Sequence, residues 1–300
     1  MKSAGLVKAR CLPRIPAVLP MQKMLSLKIL GLIGLLLLPG LASAAGKCER
    51  LVATGNPEYP PYLWRDPQSP QRLIGANADL LALIGEQLGV KIEIIYTGPW
   101  SRAQDEVRTG RVDLLAGAFL TLPRLESMDY VHPAFFITPS VVWVRKGQGF
   151  PYSGWEDLRG RTGGTLVHNS FGQQFDSFAK ANLSLEEVPS LIQAFQKLLL
   201  GRTDYVIYER YPGVALANTQ GMLENLETLE PPISSEGLYL TLSHNSACND
   251  PWLRGQLAKK MTELTAAGLP ESLLQRNLER WKAQQLQAAD VPPQEQEDSQ

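Results

Sequence analysis

The chain has 300 residues, 44% hydrophobic and 20% charged, ordinary proportions for a soluble globular protein of one or two domains. Residues 1–44 hold six basic side chains (Lys2, Lys8, Arg10, Arg14, Lys23, Lys28) and no acid, so removing them lowers Lys plus Arg from 29 to 23 against 30 acids, a formal charge of −7. That balance argues against binding a nucleic-acid backbone, which wants a basic face.

In chain order, the first feature is "MLSLKILGLIGLLLLPGLASAAGKCE". Lys23 and Lys28 precede an apolar run from Ile29 to Leu38, and Ala42-Ser43-Ala44 is a small-x-small cleavage site. Residues 1–44 are therefore expected to be a leader and secretory signal peptide. The run is too short for a membrane span, which needs about 20 apolar residues. Cys48 follows Lys47 rather than a small residue, so no lipid anchor is expected. The mature chain should be soluble, exported and periplasmic. Cys48 and Cys248 survive cleavage, and in an oxidising compartment an isolated pair favours a disulfide over a metal site, with two buried thiols as the alternative.

"CERLVATGN" predicts a strand, followed by a proline-rich loop, "PEYPPYLW". "GANADLLALIGEQLGV" has helical spacing, "KIEIIYTG" alternates as a strand, "PWSRAQDEVRTG" predicts a helix and "RVDLLAGAF" a buried strand. After "PSVVWVRKG" the pattern restarts: "GRTGG" turns into the strand "TLVHNS", and "FGQQFDSFAKAN" and "SLIQAFQKLLLG" predict helices. "TDYVIYE" is a strand, "RYPGVALANTQG" a short helix, "EGLYLTLSHNS" a strand, and two amphipathic helices close the chain. Strands alternating with helices imply an α/β fold, mostly parallel sheets with helices on both faces. Residues 286–300 lack core residues and are expected to be a disordered tail.

Several segments, in order, resemble the periplasmic solute-binding proteins of the amino-acid-binding type, extracellular family 3. They are "NPEYPPY", "GANADLLALIGEQLGVKIE", "GRVDLLAGAFLTLPR", "LRGRTGGTLVHNS", "GRTDYVIYE" and "ELTAAGLPESLLQRNLERW". The resemblance implies a two-lobe type II fold, with ligand trapped between lobes by hinge closure. Lobe 1 would comprise 46–142 plus 237–285 and lobe 2 residues 143–236, with "SVVWVRK" and "GLYLTLS" crossing between them. This places Cys48 and Cys248 in one lobe, consistent with a bridge.

The resemblance also implies a ligand site. Arg124 matches the arginine that grips an α-carboxylate, and a guanidinium presents a planar, permanently charged fork suited to that task. Glu209 stands where the family often has an aspartate for the ligand's ammonium. Asp113 and Asp204, at strand starts, are expected to serve the fold. Tyr59 and Tyr62 match the aromatic loop over the ligand, and Trp100 falls near the opposite wall. Ser170 in "HNSF" matches a lobe-2 turn near a helix N-terminus, where helix capping is the competing role. "AGAF" replaces the usual hydroxyl-rich strand end, which shifts the expected carboxylate contacts to Thr121 and backbone groups. The three histidines have no metal-ligand spacing, and no metal or cofactor is expected.

The implied function is a monomeric, non-catalytic receptor that passes a small polar solute to an inner-membrane ABC permease. Two alternatives stay open: a cyclohexadienyl (arogenate/prephenate) dehydratase on the same scaffold, with Glu209 or His168 as general acid, and a ligand-sensing partner of a membrane signalling protein.

Overall fold

A computed structural model describes residues 48–289. The expected signal peptide at 1–44 and the tail beyond Ala289 lie outside the described residues. Strand β1 (Arg50–Thr54) lies parallel between β5 (Lys91–Ile94) and β6 (Leu114–Phe119). Helices α1 (Ala76–Leu88) and α2 (Trp100–Arg108) link β1 to β5 and β5 to β6 through the expected β-α-β-α-β order. In the second lobe β8 (Thr162–Leu166) lies parallel between β9 (Ser184–Val188) and β10 (Tyr205–Glu209), with α4 (Gln173–Asn182) and α5 (Leu191–Leu199) as connections. Helix α6 (Arg210–Thr219) follows β10 directly. Two closing helices, α7 (Pro251–Ala266) and α8 (Leu269–Ala289), complete the chain.

Two strands of 18 residues each, β7 (Met128–Arg145) and β11 (Leu226–Ser243), join both halves into one eight-stranded sheet, order β5-β1-β6-β11-β7-β10-β8-β9. They pair antiparallel with each other, interrupted between Leu229 and Ser234. These are the crossover strands, and each is longer than its sequence signal. The aromatic-rich segment from Met128 and the proline-interrupted segment from Leu226 escape detection because neither alternates cleanly. The lobe limits expected at 142/143 and 236/237 fall inside these two strands.

Other local expectations need correction. "PEYPPYLW" is not a plain loop: β2 (Glu58–Tyr59) and β3 (Leu63–Arg65) lie within it and pair with β4 (Leu73–Ile74) in a small antiparallel sheet. Strand β9 has no apolar alternation and was not expected. Gly163 and Gly164 lie inside β8 rather than in a turn; a Cβ on Gly163 would come within 2.4 Å of Tyr205 Cε2 and 2.5 Å of Leu185 Cδ2. The last helix runs on to Ala289, past the expected end at 285.

Cores form on both faces of the sheet because the strands alternate. In β10, Tyr205 and Ile207 face a cluster with Leu158 and Phe175, while Val206 and Tyr208 face Phe195 and Leu198. The latter two belong to the buried stripe Leu191, Ala194, Phe195, Leu198 of α5, the spacing of an amphipathic helix. Asp113 accepts the Val52 N–H at 2.8 Å and the Ser246 hydroxyl at 2.6 Å, and Asp204 accepts the Thr162 N–H at 2.7 Å. Both carboxylates therefore tie a strand start to its neighbour.

Cys48 and Cys248 form a disulfide with Cα atoms 5.6 Å apart and a sequence separation of 200. It fastens the entry of β1 to the segment between β11 and α7. Cross-linking so long a loop restricts the unfolded chain strongly, so replacing both cysteines with serine is expected to remove about 2–5 kcal/mol of stability. Urea unfolding under non-reducing conditions checks this; an unchanged midpoint would show that the bridge contributes nothing.

Candidate functional site

Where β6 ends, the chain makes a short helical turn, α3 (Leu122–Leu125), which lifts Arg124 into the cleft between the lobes. The approach to it is unusual. Gly117 has φ +119° and sits at a register shift between β6 and β11. A Cβ there would lie 2.9 Å from Asn77 Nδ2, which donates to Ala116 O at 2.7 Å. The wall at Gly117 and Ala118 is therefore mostly backbone, in line with the missing hydroxyls.

Arg124 is half-buried and braced on all sides. Its Nε and Nη2 donate to Gln104 Oε1 at 3.2 and 3.0 Å, its Nη1 to Phe119 O at 3.0 Å, and Nη2 also to His168 O at 3.4 Å. The Tyr130 hydroxyl donates to the same Phe119 carbonyl at 2.7 Å. Trp100 stands four residues before Gln104 on α2, so both project from one helix face, and the Trp100 ring lies 5.5 Å from the Arg124 Cζ. Burial pushes the guanidinium pKa down from its ordinary value, opposed by Tyr130, Asp176 and Glu209. An incoming carboxylate would replace Gln104 Oε1, a neutral acceptor, with a charged and stronger one.

Glu209 ends β10 and is 4% exposed. Its Oε2 is buried without a hydrogen-bond partner. Burial raises its pKa to about 8, opposed by a backbone hydrogen bond and the field of Arg124. Tyr59 is buried beside it, with its ring 5.1 Å from Tyr62 and 6.4 Å, edge-on, from Tyr208.

Arg124, Glu209, Tyr59, Trp100 and Ser170 line one small cavity. Tyr62 and Thr121 do not reach its wall. Tyr62 packs beneath Tyr59 and edge-on to Phe136 at 5.1 Å, and Thr121 is buried at the start of α3, where its carbonyl accepts the Leu125 N–H. Ser170 is already engaged: its hydroxyl donates to Asp176 Oδ2 at 2.5 Å and accepts the Gly172 N–H at 3.2 Å. These bonds tie Ser170 to the start of α4, whose N-cap is Gly172, and the neighbouring Asn169 faces the cavity beside it.

Residues without a sequence signal complete the site. Asn56 and Asn169 line the cavity, and Gln104 holds the arginine. Trp100 Nε1 and Asn169 Nδ2 are buried donors without partners, and Glu209 Oε2 is a buried carboxyl oxygen without one. A guanidinium and a carboxyl thus line the same cavity. The lobes touch directly here: Gln104 Nε2 donates to His168 O at 3.1 Å, Leu122 N to Gln173 Oε1 at 2.9 Å, and Leu191 N to Glu58 Oε2 at 2.9 Å. His168 has φ 59°, a left-handed conformation uncommon for a non-glycine residue, and it turns this carbonyl toward lobe 1.

No group of three or more His, Cys, Asp or Glu side chains suited to a metal occurs among the described residues. Among those residues, no helix is long and apolar enough to cross a membrane.

The fold is similar to several solved structures. A histidine kinase sensor domain with similarity to periplasmic binding proteins matches with a TM-score of 0.65 and 24% identity, over 77% of this chain and 97% of that one. A mutant of ArgBP from T. maritima matches with a TM-score of 0.63 and 20% identity, over 78% and 96%. An amino acid ABC transporter substrate-binding protein from Streptococcus pneumoniae, bound to L-arginine, matches with a TM-score of 0.64 and 19% identity, over 78% and 96%. At these identities the likeness establishes the two-lobe type II architecture. No curated protein matches the chain. The model of the bacterial extracellular solute-binding proteins, family 3, matches residues 51–280, most of the chain, and the protein belongs to that family.

Proposed function

We propose that this protein is a periplasmic solute receptor that captures a small zwitterion, an amino acid or a derivative, and presents it to an inner-membrane ABC permease. The supporting observation is the polarised cavity. Arg124 and Trp100 come from one lobe, Asn169 and Glu209 from the other, so a molecule with carboxylate and ammonium ends makes contacts to both. Such a ligand stabilises the closed arrangement because its differential contacts exist only there. The arginine-bound Streptococcus relative and an ancestral arginine-binding protein bound to glutamine suggest where the search for the ligand starts. The signal-like segment at 1–44 and the disulfide support export.

A thermal-shift panel of amino acids, polyamines, opines and small organic acids tests the reading. At least one zwitterion should raise the melting temperature, and no response to any of them at millimolar concentration would overturn it. Glu209 also supports a second reading, since a buried carboxyl that keeps its proton near neutral pH suits a general acid of a cyclohexadienyl dehydratase. Turnover of prephenate by the purified protein would establish that reading; absence at high enzyme concentration would remove it. A sensing role, the setting of the histidine kinase sensor domain, makes the same binding predictions and differs in the partner that docks.

A further inference from the structure

Beside the cavity, the lobe-1 segment from Asn56 to Glu58 is held by two groups of the other lobe. Asn56 Nδ2 donates to the Tyr208 hydroxyl at 3.0 Å, and that hydroxyl donates to Glu58 O at 3.2 Å. Tyr208 belongs to β10 and is 0% exposed, so its ring is fixed by the lobe-2 core. The Glu58 N–H donates to Asn56 Oδ1 at 2.9 Å, the local bond by which an asparagine sets a turn. The Glu58 carboxylate reaches across to lobe 2, where its Oε2 accepts the Leu191 N–H at 2.9 Å.

Leu191 is the first residue of α5, and the leading N–H groups of a helix have no partner within it. The Ser190 hydroxyl takes the Gln193 N–H at 3.2 Å, the usual N-cap bond. The Leu191 N–H is left at the positive end of the helix, where a carboxylate is favoured. Glu58 fills that place from lobe 1. Asn56, Pro57 and Glu58 line a second pocket together with Leu166, Pro189 and Ser190 of lobe 2, so the bond spans the junction of the lobes. Glu58, Leu191 and Tyr208 all lie outside the lining of the ligand cavity.

We propose that Glu58, with Tyr208, is a latch that holds the lobes closed whether or not a ligand is present. Every bond in it joins protein to protein, so it goes beyond the receptor reading and contributes equally to closure around any ligand. When the hinge opens, Glu58 parts from the Leu191 N–H, and the Tyr208 hydroxyl parts from Asn56 and the Glu58 carbonyl. A hydrogen bond to a charged group shifts such an equilibrium about tenfold or more. The closed form is thereby populated in the free protein, and a ligand supplies only the remaining part of closure. The cavity then selects the ligand, while the latch sets how tightly any ligand is held.

Spin labels on Gln68→Cys and Gln196→Cys, exposed positions in lobe 1 and lobe 2, report the separation of the lobes in the ligand-free mature protein by pulsed dipolar spectroscopy. With Glu58 and Tyr208 intact, a short distance should dominate. Glu58→Ala should lower the ratio of closed to open molecules about tenfold or more. Glu58→Gln, which keeps a neutral acceptor, should lower it less, and Tyr208→Phe, which keeps the ring, should also move it toward open. Distances unchanged in all three variants would overturn the latch, and a lowered melting temperature without a change in distance would assign Glu58 to the fold instead. Each of the twenty common amino acids that binds should bind Glu58→Ala more weakly by one shared factor; unequal factors would place Glu58 in the ligand site and overturn the latch. Binding of none of them would overturn the receptor reading, and the label distances would then decide the latch alone.

Discussion

Arg124→Ala is expected to abolish ligand-induced thermal stabilisation while leaving the fold intact. The guanidinium is held in place before any ligand arrives by Gln104, Phe119 O and His168 O, so little ordering is needed on binding. Losing one partner of a desolvated, hydrogen-bonded charge pair costs about 2–5 kcal/mol, at least thirtyfold in affinity. Arg124→Lys should recover only part of this, because an ammonium lacks the planar fork. The fold should survive, since α3 has no buried residue and the Tyr130 hydroxyl still satisfies Phe119 O. Wild-type stabilisation of the alanine variant by the true ligand would sink the carboxylate role.

Affinity for an ammonium-bearing ligand should rise with pH and level off near pH 8. Glu209 titrates at about 8 because burial disfavours its charge, so near neutrality the free site is mostly protonated. An ammonium needs the carboxylate, and binding therefore expels one proton. Between pH 6 and pH 8 the affinity should climb roughly fiftyfold, about tenfold per unit before the curve flattens. Glu209→Gln should bind more weakly and lose this slope; a slope unchanged in the glutamine variant would remove the assignment. The same raised pKa acts on stability. The ordinary carboxyl value is 4.5, so the free protein holds a proton that the unfolded chain has lost, and its stability falls as pH rises from about 4.5 to about 8. Glu209→Gln should therefore melt higher than the wild type at pH 8, evidence that the site is kept at a cost to the fold.

Much of the fold is legible along the chain because its determinants are local. Apolar spacing marks α1, α5 and the closing helices, and alternation marks β1, β6 and β10. Asp113 and Asp204 announce the strand starts that they brace. The unread parts depend on partners far away in sequence. The first half of β7 and that of β11 are strand because each lies against the second half of the other, and β9 is strand because it edges β8.

The candidate site divides in the same way. Arg124, Glu209, Tyr59 and Trp100 stand out by residue type and position, and the structure gathers them around one cavity. Asn169 and Gln104 do not stand out, because an amide is common everywhere and acquires meaning only from what surrounds it. Ser170 shows the converse: a plausible ligand residue whose hydroxyl is already spent on Asp176.

Local order, helix and strand identity and the ordered segments resembling family 3 can be read from residues 48–289 without coordinates, since periodicity and charge are properties of a single chain segment. Two things needed the folded molecule: two long strands that fuse the lobes into one sheet, and a Glu209 charge made costly by burial. Each arises from contact between segments remote in sequence, and no local pattern carries that information.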